Sequence, residues 1–293
     1  MAVLDALNAR LDINHRLLQR SYRTPWLQTL RGLVEVTHWR TKRRRRRALE
    51  PLALPPAVAA AAAQLRREGY APATTLADPG LMAAMIARGR ALAAATPPVR
   101  HGHKVHWQQL LPPEELADPA SPFLCFALQP ELLGLLALAL GEAPRLRAFS
   151  LHRSLPSPSN RISQLWHRDY DGLEVLKIFA YLTDVTDPDD GPFTFFPIQA
   201  CGTWRRWGRN HLEDREVFAR LDPAGRRAML GPAGTVFAVN THRCLHMGSR
   251  LAEGRERLMV TCTYVPAPSL YIGERAPCRP RPEAAALEQL ALQ

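Results

Sequence analysis

The stretch Gln164-Leu-Trp-His-Arg-Asp-Tyr-Asp171 places His167 two residues before Asp169. Side chains at i and i+2 of an extended strand point to the same face, so this imidazole and this carboxylate can converge on one metal ion. Such a pair needs a third ligand. His246 supplies it, because it lies between two β-rich runs, 235–240 and 257–265. Two histidines and one carboxylate form the facial triad that holds Fe(II) in non-haem oxygenases and leaves coordination positions open. The same set also suits Zn2+ in a hydrolase.

Working outward, the chain from about residue 146 onward reads as short β-rich runs at 147–151, 175–182, 193–196, 235–240 and 258–265. Turn signals separate them: Pro156-Ser-Pro-Ser-Asn160, Asp187-Pro-Asp-Asp-Gly191 and Gly231-Pro-Ala-Gly234. Many short strands with turns between them indicate a sandwich or barrel. Upstream the pattern is helical. The alanine-rich segment 57–68 ends at Gly69, a C-cap glycine, and a second helix is expected over 79–95, starting near Asp78. The polar insertion 202–230 reads as helix and loop, with 210–221 helical, and no internal repeat is present.

Composition bounds the rest. With 293 residues, 46% hydrophobic and 22% charged, the chain is neither disordered nor fibrous. Its best uninterrupted apolar run, 132–140, falls short of the roughly 18 residues that span a bilayer. The opening residues, interrupted by Asp5, Asn8, Arg10 and Asp12, do not read as a signal-type apolar segment, so the expected location is the cytoplasm. Five cysteines (Cys125, Cys201, Cys244, Cys262, Cys278) without a CxxC pair argue against a disulfide framework or a cysteine-ligated zinc.

The net charge of +11 is uneven: residues 1–50 carry twelve Lys/Arg and four Asp/Glu, leaving +3 for the remainder. Leu4, Leu7, Leu11 and Leu18 with Arg10, Arg16 and Arg20 read as a basic amphipathic helix, followed by Lys42 and the run Arg43–Arg47. This region suits peripheral contact with an anionic membrane. The alternative is a helix packed on the body with a solvated charge run after it. Aromatic residues are too sparse here (Tyr22, Trp26, Trp39) for a single-strand nucleic-acid surface.

Several separated motifs resemble the phytanoyl-CoA dioxygenase-like family of Fe(II)/2-oxoglutarate oxygenases. Trp166-His-Arg-Asp169 resembles its WHxD strand. Leu182-Thr-Asp-Val185, with Asp190-Gly-Pro-Phe193 and Pro197, resembles the strand and turn that follow. Gly234-Thr-Val-Phe-Ala-Val239 leads to His246 in the place of the distal ligand. The resemblance runs from about Ala57 to Pro266. It departs from the family at Ile198-Gln-Ala200 and Gly234-Thr235, neither of which is a ligand position.

The resemblance implies an α+β fold, mainly β with flanking helices: a double-stranded β-helix, or cupin-like jelly roll, preceded by N-terminal helices. It implies Fe(II), O2 and 2-oxoglutarate as cofactors, with His167, Asp169 and His246 as catalytic metal ligands. Arg257, eleven residues after His246, takes the place of the arginine that grips the distal carboxylate of 2-oxoglutarate. Arg255 is a rival on the same face. Ser249 and Lys177 are further candidates for that cosubstrate pocket. A carboxylate at Asp169, rather than an empty halide position, favours hydroxylation over halogenation.

Other histidines carry less. His101, His103 and His106 lack a nearby acidic ligand. His211-Leu-Glu213 copies the HxE spacing inside a segment read as helix, and His152 suits either the site mouth or the core. Trp204, Arg205, Arg206, Trp207 and Arg209 fall where barrel loops cover active sites, and their charges suit a phosphate- or carboxylate-bearing substrate. The expected organisation is a basic helical extension and linker (1–55), an oxygenase jelly roll (56–270) and a C-terminal tail (271–293). The expected activity is hydroxylation of a small lipid-linked, sugar or natural-product substrate. The competing readings are a zinc hydrolase and a catalytically silent membrane- or polyanion-binding protein.

Overall fold

The computed structural model describes residues 36–98, 107–157, 159–171, 174–201, 210–248, 250–267, 278, 280 and 283–293. The expected helix over 1–20, His101, His103 and His106, Trp204 to Arg209, and Ser249 lie outside these residues.

Helices come first. α1 (Trp39–Arg47) precedes α2 (Pro56–Glu68) and α3 (Pro79–Ala95). α2 starts with proline at its first position and stops at Gly69, whose φ of 82° is left-handed; a Cβ there would also run into Cys244 Sγ and Ile198. α3 starts where Asp78 accepts the Leu81 N–H at 2.7 Å. Between α2 and α3 lies β1 (Tyr70–Pro72), and after α3 come β2 (Gln108–Gln109) and the short α4 (Pro113–Ala117).

The next two helices lie in the longest apolar stretch of the chain. Residues Pro122–Leu140 together are long and apolar enough, by composition, to cross a membrane. They form two helices, α5 (Pro122–Ala127) and α6 (Pro130–Leu140), and 67% of the stretch is buried in the core. Gln129 marks the break: its side chain donates to Leu76 O (2.6 Å) and accepts from Asp78 N (3.1 Å).

The strands are β3 (Arg145–Ser154), β4 (Leu176–Tyr181), β5 (Thr194–Phe196), β6 (Arg227–Ala228), β7 (Val236–Asn240), β8 (Leu245–Met247) and β9 (Arg257–Val265). Two further short helices, α7 (Ile198–Cys201) and α8 (Asp214–Phe218), interrupt them. A six-stranded antiparallel sheet runs β1-β7-β4-β9-β3-β2, and a three-stranded sheet runs β6-β5-β8. The strands of the large sheet alternate between two buried environments. Ile178, Ala180, Val236, Ala238, Val260 and Cys262 pack with the helices. Phe179, Tyr181, Phe237, Val239 and Met259 point the other way and pack with Phe193 and Phe195 of the smaller-sheet side. Both faces are covered, which explains why β9 is buried along its whole length.

The final helix, α9 (Ala286–Ala291), packs on α6 and β3 and buries Leu287 and Leu290 in the helical core. Leu52 and Leu54, within the segment read as a linker, pack against the same core.

Candidate active site

Residues 166–168 form the middle strand of a short pairing. Trp166 and Leu212 exchange both backbone hydrogen bonds (3.0 and 2.8 Å), and on the other side His167 and His246 do the same (2.8 and 2.9 Å). Successive residues of an extended strand bond to opposite neighbours. His167 and His246 are therefore directly opposed. The Asn210 side chain continues the pairing like a backbone amide, accepting from Arg168 N and donating to Arg168 O, both at 3.1 Å. Here a sequence expectation fails: 210–212 is not helix but runs beside 166–168, paired through the Leu212 backbone and the Asn210 side chain, and α8 begins only at Asp214.

The ring orientation of both histidines is fixed. His167 Nδ1 lies 2.8 Å from Leu165 O, and His246 Nδ1 lies 3.1 Å from Cys244 O. A carbonyl only accepts, so each Nδ1 carries the hydrogen and each Nε2 presents a lone pair. Those Nε2 atoms lie 3.8 and 3.7 Å from Asp169 Oδ1 and Oδ2. All three ligand atoms fall within 4.8 Å of one another, close enough for one ion.

Electrostatics keep this set ready to bind. Burial, reinforced by the neighbouring His246, holds His167 down to about 3, and burial likewise lowers His246, so both rings are neutral near pH 7. Burial alone would raise the Asp169 carboxyl, but Lys177 and the two histidines outweigh it and hold it well below the usual carboxylate range. Two neutral nitrogens and one ionised oxygen match a divalent transition metal such as Fe(II).

Lys177 stands on the inner face of β4 with its ammonium 2.8 Å from Asp169 Oδ2. Burial would lower its pKa, yet Asp169 and then Asp171 raise it, so it is charged. Arg147 in turn lies 3.2 Å from Asp171. Charges therefore alternate along this wall.

Arg257 opens β9 opposite Ser154 and is fully buried. Its guanidinium donates to Gly191 O and to Ser154 Oγ (3.3 Å) and sits over the Tyr181 ring at 5.9 Å. The rival Arg255 is over half exposed and pairs with Asp190 at 3.3 Å. Only Arg257 of the two lines the cavity.

That cavity has a volume of about 690 Å³ and is lined by His167, Asp169, His246, Lys177 and Arg257 together. Phe179, Phe193 and Met259 give it an apolar wall, and Thr261 and Thr263 add hydroxyls. His152 lines it too, stacked on Trp107 with ring centroids 3.9 Å apart. His211 is a lining residue stacked 5.5 Å from His167, with a left-handed φ of 62°. Such strain in a non-glycine residue is characteristic of functional sites. His211 stays outside the metal cluster, and Glu213 pairs with Arg215 on the surface, so the HxE spacing has no metal role.

Sequence reading missed the brace behind His167. Trp166 Nε1 donates to Asp214 Oδ1 (2.8 Å), and Arg250 holds the same carboxylate with both terminal nitrogens (2.8 and 2.9 Å) while Nε binds Gln164 O (2.7 Å). The paired residues are 36 to 86 positions apart, and no local pattern marks them.

Neither protein-family models nor curated protein sequences match this chain. Solved structures do. The non-haem α-ketoglutarate-dependent carbocyclase SnoK from nogalamycin biosynthesis superposes with a TM-score of 0.53 over 74% of this chain and 85% of its own, at 17% identity. EctD from S. alaskensis, with bound Fe, gives 0.52 over 69% and 74%, at 18% identity. HygX from Streptomyces hygroscopicus, with nickel and 2-oxoglutarate, gives 0.50 over 73% and 88%, at 18% identity. This chain shares its fold with these three structures.

Proposed function

We propose that the protein is an Fe(II)/2-oxoglutarate-dependent dioxygenase that hydroxylates a small molecule. The observation that carries this reading is the meeting, in one cavity, of the His167/Asp169/His246 cluster and the buried Arg257 guanidinium. A zinc hydrolase would use the three ligands but has no use for a buried arginine beside them.

In this reading His167 and His246 supply Nε2 atoms held in one tautomer by Leu165 O and Cys244 O, and Asp169 supplies the anionic ligand. Arg257 receives the distal carboxylate of 2-oxoglutarate, for which a planar, always-charged fork is suited. The hydroxyls of Thr261 and Thr263 and the rings of Phe179 and Phe193 shape the space between, and the apolar wall keeps bulk water from the centre. His211 and the Trp107–His152 stack border the remaining volume and are available to substrate. When bound, Fe(II) with 2-oxoglutarate supplies the oxidation: O2, substrate C–H and 2-oxoglutarate become C–OH, succinate and CO2.

The test is anaerobic addition of Fe(II) and 2-oxoglutarate to metal-stripped protein while watching for the visible metal-to-ligand charge-transfer band. The band is expected in the wild type, lost in His246→Ala, and in Arg257→Ala dependent on more 2-oxoglutarate. No band in the wild type at saturation would overturn the reading and redirect attention to zinc.

A further inference from the structure

The basic run of the N-terminal region divides its side chains between two jobs. Lys42 and Arg45, three residues apart on α1, turn inward and are buried. The Lys42 ammonium pairs with Glu142 at 2.8 Å, and Arg45 donates to Ala143 O (3.0 Å), Pro144 O (2.9 Å) and Leu290 O (2.8 Å). These contacts fix α1 to the body at both the β3 approach and the C-terminal helix. The charge run is therefore not simply solvated, and its orientation is set by the fold.

With those two residues committed inward, Arg40, Arg43, Arg44, Arg46 and Arg47 face outward. Val36 and Trp39 lie beside them, 69% and 51% exposed. Among the described residues only one other large apolar side chain, Leu230, is exposed to a similar degree. Val36, Trp39, Arg43, Arg46, Arg47 and Glu50 recur at helical spacing and, together with Lys42, line one surface groove. Arg40 covers the Trp39 ring at 5.5 Å. An apolar pair at one end of a basic stripe, with a single acid in it, matches the boundary between acyl chains and anionic headgroups, where tryptophan is enriched and arginines meet phosphates. A single-strand nucleic-acid surface would need charge with interleaved stacking rings, and a duplex surface, which needs only charge, has no use for the exposed Val36 and Trp39.

We propose that the outward face of α1 docks the protein on an anionic lipid surface, with Trp39 and Val36 entering the interface and Arg43 and Arg47 meeting lipid phosphates. The proposal does not depend on the oxygenase reading, and its test needs neither metal nor substrate. Full-length protein is sedimented with vesicles of pure phosphatidylcholine or with vesicles containing phosphatidylglycerol, at low and high salt. Binding is expected to the anionic vesicles alone and to weaken with salt. The double variant Arg43→Gln/Arg47→Gln should partition about 25-fold less well, at about one factor of five per charge. Trp39→Ala, with its charge intact, should lose about tenfold. Unchanged melting temperatures would show that both variants are folded; Lys42 and Arg45 are left alone because they hold α1 in place. The proposal is overturned if wild type ignores anionic vesicles, or if both variants partition like wild type. It is equally overturned if duplex oligonucleotide displaces the vesicles while Trp39→Ala has no effect, which would assign the face to nucleic acid.

Discussion

His167 and His246 face each other across adjacent strands, exchange both backbone hydrogen bonds, and bring their Nε2 atoms to 3.8 and 3.7 Å from the two oxygens of Asp169. The candidate ligand set is thus held by main chain as well as by side chains. Removing one member leaves the other two aligned but too few for tight binding. His246→Ala or Asp169→Ala should weaken Fe(II) affinity by more than about 100-fold, because loss of a group that merely supports a ligand already costs about 10–100-fold. Calorimetric titration with Fe(II) under anaerobic conditions measures this, and wild-type affinity in either variant would refute the ligand assignment.

Arg257 offers a separable prediction. Its guanidinium is fully buried and also donates to Gly191 O and Ser154 Oγ, so Arg257→Ala lowers stability as well as cosubstrate affinity. Arg257→Lys keeps the charge but not the fork. Loss of a buried charge partner costs about 2–5 kcal/mol. The alanine variant should therefore need about 30-fold or more additional 2-oxoglutarate, with the lysine variant in between and Fe(II) affinity nearly unchanged. Titration of the charge-transfer band with 2-oxoglutarate reads the difference.

Lys177 and a metal ion compete for the same carboxylate, since the ammonium lies 2.8 Å from Asp169 Oδ2. Lys177→Met removes a positive charge beside a dication site, so metal binding should tighten by roughly tenfold, about 1.4 kcal/mol. The metal-free protein should become less stable, because Asp169 then stays buried without its ammonium partner. Paired metal titrations and melting curves test both signs, and weaker metal binding would show that Lys177 positions Asp169 instead.

Low pH should destabilise the metal-stripped protein. Burial, reinforced by His246, holds folded His167 at about 3 against an ordinary 6.5. As pH falls below about 6.5 the unfolded imidazole takes up a proton that the folded one refuses, so stability falls with pH through the window down to about 3. The slope is at most about 1.4 kcal/mol per pH unit for this group. His246, lowered in the same direction by burial, adds to it. Melting temperatures of chelator-treated protein between about pH 8 and pH 5 should drop below pH 6.5, with a shallower slope in His167→Gln.

Asp214 is the hub joining Trp166 to Arg250. Asp214→Ala leaves a guanidinium and an indole N–H without their acceptor. It should destabilise the fold by about 1.5–3 kcal/mol. It should also loosen metal binding by about tenfold, because the braced strand carries His167. Thermal melts with and without saturating metal separate the two effects.

The sequence itself determined the alternating strands, the helices 57–68 and 79–95 with their Gly69 and Asp78 boundaries, and the candidate cluster His167, Asp169 and His246 with an arginine at 255 or 257. These signals are local: period-two alternation, capping residues, i and i+2 geometry, and motif offsets along one strand. The tertiary structure alone decided which arginine enters the cavity, because Arg255 and Arg257 share a face in sequence and differ only in what packs over them. It also decided that Lys177 meets Asp169, that Asn210 to Leu212 pair with Trp166 to Arg168 rather than forming helix, and that Lys42 and Arg45 of the basic run are buried. A two-residue bridge has no period to detect, and a long-range ion pair leaves no trace in its neighbours. Both kinds of contact arise from the sheet order and from the helices laid over one face of it, which bring together residues as far apart as Lys42 and Glu142.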